Sequence, residues 1–377
     1  MNKQGVTMKI GIPKEVKNHE YRVGLTPLAT KELTGMGHEV IVQTDLGTGI
    51  GFADTDYEQA GAKVVATADD VFKQGEMIVK VKEPLAEERA KLRDDHVLFT
   101  YLHLAPDSAQ TQDLMNSGAV CIAYETITSA SGELPLLAPM SEVAGRMSIQ
   151  AGALCLEKSR GGSGVLLGGV PGVEAAKVVI IGGGVVGQHA AQMAGMGANV
   201  TILDNNLTTL RGLNVQFGTQ ADLIYSTMST LDKQVTEADL VIGSVLIPGA
   251  AAPKLVTREM VKRMRLGSAL VDVAIDQGGC FETSRPTSHS EPTYIEEGAV
   301  HYCVTNMPGA VARTSSLSLN NATLPYIIKL ANQGWKQALK SDPHFANGLN
   351  VIDGKVTNAA VAQDQGLSFY EPAKFFA

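Results

Sequence analysis

The sequence predicts an α/β protein made of two Rossmann-like, doubly wound domains with mainly parallel sheets, joined by long helices with a cleft between them. Short apolar runs alternate with helical patterns up to about Tyr124, and the same alternation returns from Lys177 to about Val304. Between these regions a long helical pattern and a glycine-rich loop interrupt the alternation. We therefore place one domain at residues 1–135 and 309–377 and the other at residues 136–308.

The first domain is predicted as a parallel sheet covered by helices on both faces. Its first strand is Met8–Ile12, and a helix starts at Pro27 and ends within residues 35–37, where two glycines flank a methionine. Further strands are predicted at residues 39–42, 63–65, 77–81, 97–101 and 119–123, with a helix at residues 107–116. Strands that alternate with helices in this way pair in parallel.

The second domain is predicted to follow one long helix, roughly Ser141 to Glu157, and a glycine-rich loop. Its six parallel strands are predicted at residues 177–181, 200–204, 222–225, 239–244, 269–274 and 301–304. A last helix, about residues 316–338, carries the only tryptophan, Trp335, and is expected to return to the first domain before a mostly polar stretch.

A glycine motif at the start of the second domain predicts a dinucleotide site. Gly182, Gly184 and Gly187 fit the pattern G-x-G-x-x-G directly after an apolar strand, and Gln188–Met196 continues as a helix. The glycines permit a tight turn, close approach to a pyrophosphate and close packing of helix on strand. The phosphates would face N–H groups at the helix N-terminus, so Val185 and Val186 are counted among the cofactor contacts.

Asp204 ends the next apolar run, about 20 positions beyond the first glycine. A carboxylate at this place accepts a hydrogen bond from a ribose 2′-hydroxyl and repels a 2′-phosphate. The cofactor predicted from these residues is NAD rather than NADP.

Composition excludes several classes of protein. The chain has 377 residues, 44% of them hydrophobic and 19% charged, and a formal net charge of -8. No run of basic residues suits nucleic acid or an anionic membrane, and no apolar segment reaches the roughly 18 residues that span a bilayer. Residues 1–8 lack the apolar core of a secretory signal.

The cysteines are widely and irregularly spaced, and we expect buried free thiols in a cytoplasmic protein. Cys and His residues show no spacing typical of a metal site.

Two cations follow predicted strands of the first domain. Arg22 lies in a polar loop after the first strand, and its planar fork suits a substrate carboxylate, although a solvated loop arginine is the plainer interpretation. Lys82 follows the strand at residues 77–81, where it could polarise a carbonyl or imine oxygen. Strand alternation puts Lys80 on the same side, so a surface lysine pair is the alternative.

His103 and Asp276 are the candidate proton-transfer groups. His103 closes an apolar strand, where imidazole suits acid–base work near neutral pH, although a satisfied core histidine is an equal alternative. Asp276 ends a strand of the second domain and would lie across the cleft; Asp272 in mid-strand is its rival, and a turn-forming aspartate is the plainer interpretation.

Three further residues are weaker candidates for lining the cofactor. Ser141 precedes the long helix, and Asn306 and Met307 follow the last predicted strand. Serine and asparagine are also the usual cap and turn residues, so a purely structural role is an alternative.

With these residues in view, the chain resembles the alanine dehydrogenase and pyridine nucleotide transhydrogenase superfamily, in particular its L-alanine dehydrogenases. The resemblance runs from Met8 to the C-terminus. It rests on these blocks: Lys9–Glu15 with Arg22, Val79–Pro84, Leu102–Ala105, Pro135–Arg146, Gly168–Val173, Ala274–Cys280 and Thr305–Pro308.

The resemblance implies a reversible oxidation of L-alanine to pyruvate and ammonium by hydride transfer to NAD. It implies that Arg22 binds the substrate carboxylate, that Lys82 holds the oxygen or nitrogen on the α-carbon, and that His103 and Asp276 manage protons. Which of these two is the principal base stays open. The resemblance also supports the glycines, Asp204, Ser141, Asn306 and Met307 as NAD contacts, and it implies a homohexamer.

The main alternative is the NAD(H)-binding alpha subunit of a proton-translocating transhydrogenase, which shares the fold and works docked to a membrane partner. The presence of Lys82 and His103 favours the dehydrogenase, since that subunit family does not carry Lys and His there. Opine-type reductases and a binding-only redox sensor are further alternatives.

Overall fold

The computed structural model describes residues 7–245 and 252–376. Most of the N-terminal segment for which no secretory signal is expected lies outside these residues. The chain forms two compact units, one made of Met1–Met140 and Val311–Ala377 and the other of Ser141–Ala310. We call them unit 1 and unit 2.

The strands in chain order are β1 (Lys9–Ile12), β2 (Glu39–Gln43), β3 (Lys63–Val65), β4 (Met77–Val79), β5 (Val97–Thr100), β6 (Val120–Ala123), β7 (Lys177–Ile181), β8 (Asn199–Asp204), β9 (Asp222–Tyr225), β10 (Leu240–Gly243), β11 (Ala269–Asp272), β12 (Thr293–Glu296), β13 (Ala299–Tyr302), β14 (Leu349–Ile352) and β15 (Lys355–Val356).

The α-helices are α1 (Pro27–Gly35), α2 (Asp54–Gln59), α3 (Ala68–Gln74), α4 (Ala86–Arg89), α5 (Ser108–Ser117), α6 (Ala138–Cys155), α7 (Val185–Ala194), α8 (Leu207–Phe217), α9 (Met228–Thr236), α10 (Arg258–Arg263), α11 (Ala312–Lys340), α12 (Pro343–Ala346) and α13 (Ala359–Gln365). Short 3₁₀ segments lie at Thr48–Ile50, Tyr124–Thr126, Lys158–Arg160, Val273–Gln277, Met307–Val311 and Pro372–Phe375.

Unit 1 contains an eight-stranded sheet in the order β15-β14-β6-β5-β4-β1-β2-β3. The six strands β1 to β6 pair in parallel and form the doubly wound order 3-2-1-4-5-6. β14 and β15 are antiparallel and come from the stretch that was expected to be mostly polar. Asp353 and Gly354 between them have φ angles of 48° and 70°, so the Asp-Gly turn was the signal for this hairpin.

Unit 2 contains a seven-stranded sheet in the order β12-β13-β11-β10-β7-β8-β9. The six parallel strands again have the order 3-2-1-4-5-6, and β12 adds an antiparallel edge through a turn at Glu297–Gly298. The predicted strand at residues 301–304 begins two residues earlier, at Ala299. The mainly parallel, doubly wound α/β fold predicted from the sequence is thus confirmed.

The central strands form the cores of the two units. Every residue of β4, β5, β6, β10 and β11 is buried, as expected for parallel strands that helices cover on both faces. The four cysteines, Cys121, Cys155, Cys280 and Cys303, are buried free thiols, as predicted. Within the described ranges, no helix has the length and hydropathy needed to cross a membrane.

Candidate active site

The predicted substrate residues of unit 1 meet at one edge of its sheet. β6, β5, β4 and β1 are neighbouring parallel strands, so their carboxyl ends lie at the same edge. Arg22 follows β1, Lys82 follows β4 and His103 follows β5; Glu125, which the sequence analysis did not single out, follows β6. The edge includes the switch point of the strand order, where α/β sheets bind ligands.

Arg22 is buried, which contradicts a solvated loop arginine. Its residue is 3% exposed, and its Nε and Nη2 donate to the two carboxylate oxygens of Glu20 at 2.7 and 2.5 Å. Burial alone disfavours the charged guanidinium, but the hydrogen bonds and charge of Glu20 outweigh burial and raise the pKa of Arg22. Nη1 lies 3.2 Å from the sulfur of Met140.

The loop that carries Arg22 is anchored by α11, which belongs to the same unit. The N–H of Val23 donates to the hydroxyl of Ser316 at 3.1 Å, and the N–H of Thr26 donates to Asn320 Oδ1 at 2.7 Å. Asn320 Nδ2 donates to the carbonyls of Val23 and Gly24. α11 therefore holds the backbone of the residues that directly follow Arg22.

Lys82 lies three residues beyond the end of β4, because this strand stops at Val79 and not at residue 81 as predicted. Its side chain is 16% exposed, and its Nζ is 3.4 Å from Glu83 Oε2. Burial favours the neutral form of Glu83, but the ammonium groups of Lys82 and Lys17 outweigh it and lower its pKa. The ammonium of Lys82 is thus near the surface and next to an ionised carboxylate.

His103 lies in the loop after β5, because the strand ends at Thr100 rather than at the histidine. Its backbone has φ 48°, and its N–H donates to Glu125 Oε1 at 2.6 Å. The imidazole is 44% exposed, stacks on the ring of Tyr101 with centroids 5.6 Å apart, and has Nδ1 3.9 Å from the same carboxylate oxygen. It is therefore an accessible group and not a satisfied core histidine.

Tyr101 connects Arg22 with His103. Burial raises the pKa of the Tyr101 phenol, and the positive charge of Arg22 opposes this rise. The ring of Tyr101 stacks on that of His103. The charge of Glu15 contributes to the raised pKa of Arg22. Glu15 also accepts a hydrogen bond from the backbone N–H of Lys82 at 3.4 Å. The structure therefore brings the three predicted residues of unit 1 into one neighbourhood.

The glycine turn in unit 2 has the strand, turn and helix that the motif predicts. Gly182 has φ 103°, Gly184 caps α7, and a Cβ on Gly184 would meet nothing within 4 Å. α7 begins at Val185, which is 41% exposed, so the first N–H groups of the helix lie at this turn. The open space and the backbone donors fit a pyrophosphate.

Asp204 ends β8 beside this turn. Its Oδ2 accepts from the N–H of Gly183 at 2.8 Å, and its Oδ1 accepts from the N–H of Asn206 at 2.7 Å. The carboxylate thus also stabilises the loop geometry around the middle glycine of the turn. A ribose hydroxyl would add a donor to oxygens that already accept from the backbone.

Ser244, at the end of β10, is a neighbour of the turn that the sequence analysis did not single out. Its hydroxyl contacts the carbonyls of Ile181 and Gly182 at 2.8 and 3.0 Å. β7 and β10 lie side by side at the switch point of the second sheet. Ser244 is the last residue of the strand predicted at residues 239–244, and a hydroxyl at that strand end was the available signal.

Asp276 and Asp272 have different surroundings. β11 ends at Asp272, so Asp276 lies in a 3₁₀ segment and not at the strand end, and it is exposed. Asp272 is fully buried and accepts hydrogen bonds from the N–H of Cys280, the N–H of Ala274 and the hydroxyl of Ser284. Asp272 therefore holds together the loop that follows β11, whereas Asp276 is the accessible carboxylate.

The weaker candidates of unit 2 lie in helical segments or turns. α6 begins at Ala138, helped by Pro139 in its first turn, so Ser141 lies inside the helix and is not its N-cap. Asn306 has φ 60°, a conformation that asparagine tolerates in turns, and the buried Met307 begins a 3₁₀ segment.

The glycine turn at the switch point of a doubly wound sheet defines a dinucleotide-binding α/β protein, with a second α/β unit that presents Arg22, Lys82 and His103 at one sheet edge. Comparisons with known proteins agree with this class. The family model described as "Alanine dehydrogenase/PNT, N-terminal domain" matches residues 11–144, and "Alanine dehydrogenase/PNT, C-terminal domain" matches residues 148–359. The chain belongs to the alanine dehydrogenase/PNT family.

Curated relatives match almost the whole chain. Alanine dehydrogenase of Halomonas elongata is 59% identical over 97% of this chain and 99% of its own, and that of Mycolicibacterium smegmatis is 53% identical over 98% and 100%. A solved L-alanine dehydrogenase superposes with a TM-score of 0.92 at 54% identity, covering 95% of this chain and 99% of its own. A transhydrogenase from Sinorhizobium meliloti superposes at 0.80 with 25% identity, covering 93% and 99%.

Proposed function

We propose that the chain catalyses the reversible, NAD-dependent oxidative deamination of L-alanine to pyruvate and ammonium. The observation that carries this proposal is the placement of Arg22, Lys82 and His103 after three neighbouring parallel strands. These are a guanidinium for a carboxylate, an ammonium for an oxygen or nitrogen, and an imidazole for proton transfer. The relatives named alanine dehydrogenase support the choice of substrate.

We assign the two predicted domains different tasks. Residues 1–135 and 309–377 form the substrate domain, and residues 136–308 form the NAD-binding domain. Gly182, Gly184, Val185, Val186 and Gly187 hold the pyrophosphate with backbone groups, and Asp204 holds the ribose. Ser141, Asn306 and Met307 line the rest of the cofactor site.

NAD supplies the hydride acceptor for the α-carbon of alanine. Arg22 binds the substrate carboxylate and is itself kept charged and in place by Glu20. Lys82 holds the nitrogen of alanine or the oxygen of pyruvate. The ammonium group of alanine first loses a proton, and oxidation then moves a hydride, with its electron pair, off the α-carbon and leaves an iminium ion. Water adds to this carbon, a proton passes from the added oxygen to the nitrogen, and ammonium leaves as the carbonyl of pyruvate forms.

His103 and Asp276 manage the protons of these steps, with the choice of principal base left to experiment. Water addition and loss of ammonium each require proton transfer, which a group with an accessible proton site provides. Both side chains are accessible in their own units.

The protein is further proposed to be a cytoplasmic homohexamer, by likeness to its family. It acts on small molecules and needs neither nucleic acid nor a membrane. Size-exclusion chromatography with light scattering measures the oligomeric state directly.

The function is tested by NADH oxidation with pyruvate, with and without ammonium, and again with NADPH. Turnover only in the presence of ammonium, and faster with NADH, is the expected result. Turnover with pyruvate alone would indicate a 2-hydroxy-acid reductase. NADH binding without turnover would favour a transhydrogenase subunit or a redox sensor.

A further inference from the structure

A buried group of charges is centred on Lys80, two residues before Lys82, and the proposed mechanism does not use it. Lys80 is fully buried, and its Nζ lies 3.0 Å from Glu15 Oε2 and 2.7 Å from Glu88 Oε1. The side chains of both carboxylates are at most 5% exposed. Burial favours the neutral lysine, but the two carboxylates outweigh it and raise the pKa of Lys80.

Such a buried cluster is weak evidence for stability, because removing charges from water costs much of the Coulomb energy that their attraction returns. Apolar side chains of similar volume often stabilise a core equally well. The arrangement of Lys80, Glu15 and Glu88 therefore calls for a role beyond packing.

Glu15 uses its two oxygens for two different tasks. While Oε2 faces Lys80, Oε1 accepts from the backbone N–H of Val81 at 2.7 Å and of Lys82 at 3.4 Å. Both N–H groups come after the end of β4 at Val79. Glu15 thus accepts the backbone hydrogen bonds that a neighbouring strand would accept if β4 continued beyond Val79.

The carbonyl groups of the same segment are held from the other side. Lys80 O accepts from the Tyr124 hydroxyl at 3.0 Å, Val81 O from the N–H of Tyr101 at 3.2 Å, and Lys82 O from the Thr100 hydroxyl at 3.1 Å. The backbone that carries Lys82 is therefore hydrogen-bonded on both edges, and the Glu15 carboxyl group supplies the bonds on one of them. Burial raises the pKa of Glu15, whereas the charge of Lys80 and the N–H of Val81 act in the opposite direction.

We propose that Glu15 is a positioning residue that directs Lys82 towards the substrate, with Lys80 as the counter-ion that holds the Glu15 carboxylate in place. Glu15 acts through the backbone of Lys82 and does not itself touch substrate. Glu88 also pairs with Lys80, and it accepts from the N–H of Leu85 at 2.9 Å. This role rests on the proposed function, in which Lys82 holds the oxygen of pyruvate.

The test is a double-mutant cycle with E15Q and K82M. The first readout is the Kd of pyruvate for the NADH-saturated protein without ammonium, followed by NADH fluorescence; the second is kcat/KM with ammonium. We expect E15Q to raise the pyruvate Kd and to lower kcat/KM, each by about 10- to 100-fold, since a misplacement of about 1 Å can cost that much. In the K82M background, E15Q should change pyruvate Kd by less than about threefold, because the residue through which it acts is gone.

Asp239 provides a matched control in unit 2. It is buried, accepts from the N–H of Lys177 at 2.9 Å and pairs with Arg265 at 2.7 Å, so it combines the same two tasks at the opposite end of its strands. D239N should leave pyruvate Kd and kcat/KM of the folded protein within about threefold of wild type. NADH affinity should be unchanged in E15Q.

Each outcome decides the proposal. Wild-type values in E15Q, or equal losses from E15Q in the wild-type and K82M backgrounds, would overturn the positioning role. If E15Q does not fold, E15D replaces it, since it keeps the charge but is too short for both tasks, and the same coupling to Lys82 is expected. A wild-type protein that neither binds nor reduces pyruvate would refute the proposed function itself, and this role with it.

Discussion

Gly187 is the position in the cofactor site at which an added methyl group should cause the strongest steric clash. A Cβ built there would lie 1.9 Å from the carbonyl oxygen of Gly182 and 3.1 Å from the hydroxyl of Ser244. Ordinary van der Waals contact begins near 3.4 Å. In G187A, α7 therefore has to retreat from the turn by about 1.5 Å, because the obstacle is backbone and cannot rotate away.

The expected cost follows from overpacking. Forcing extra carbon into a packed site costs ~1–3 kcal/mol, and a clash with backbone belongs at the upper end. Since 1 kcal/mol shifts the Tm of a domain of this size by about 2–4 °C, the Tm of G187A should fall by roughly 6–12 °C. NADH binding should weaken as well, because the N–H groups of α7 move away from the pyrophosphate.

Two other glycines make the test specific. A Cβ on Gly184 meets nothing within 4 Å and its φ is -70°, so G184A should keep the wild-type Tm but weaken NADH binding, because the methyl group occupies space proposed for the pyrophosphate. Gly212 is exposed on α8 and also open, so G212A should leave NADH affinity unchanged and stabilise by about 0.5–1 kcal/mol.

The assay is thermal unfolding by circular dichroism, together with NADH titration by fluorescence, for the wild type and the three variants. A G187A protein with the Tm and NADH affinity of G212A would refute the argument that the third glycine is required for close packing.

Further predictions concern catalysis, cofactor choice and pH. H103A should leave NADH affinity nearly unchanged and lower kcat by at least about 100-fold; retained turnover would refute its proton-transfer role. D204N keeps an acceptor for the Gly183 N–H but loses the charge, so the preference for NADH over NADPH should shrink; an unchanged ratio would place ribose recognition elsewhere. Burial lowers the pKa of His96 and His301 from 6.5, so the unfolded chain binds more protons below that value. Their contribution to stability is full above pH 6.5 and is lost as pH falls towards the folded-state pKa, at up to about 1.4 kcal/mol per pH unit for each group. Tm measured from pH 7 to 5 should decline, and H301Q should flatten the slope.

The fold could be predicted from sequence because its signals are local. Apolar runs followed by helical periods mark each βα step, and the handedness of the crossovers leaves few ways to order parallel strands. The spacing of Gly182, Gly184 and Gly187 likewise states a local backbone requirement. The antiparallel strands β12, β14 and β15 were not predicted because hairpins do not follow the alternation of strand and helix, although the two-residue turns at residues 297–298 and 353–354 indicated them.

Only the tertiary structure decided which of several similar side chains is buried. Sequence alternation put Lys80 and Lys82 together, yet Lys80 is fully buried between two carboxylates, and Lys82 is partly exposed. The tertiary structure also distinguished Asp272, which is buried, from Asp276, which is exposed. The reason is physical: the ionisation and orientation of a side chain depend on groups such as Glu15, which lies 65 positions from Lys80 in sequence and meets it only after folding.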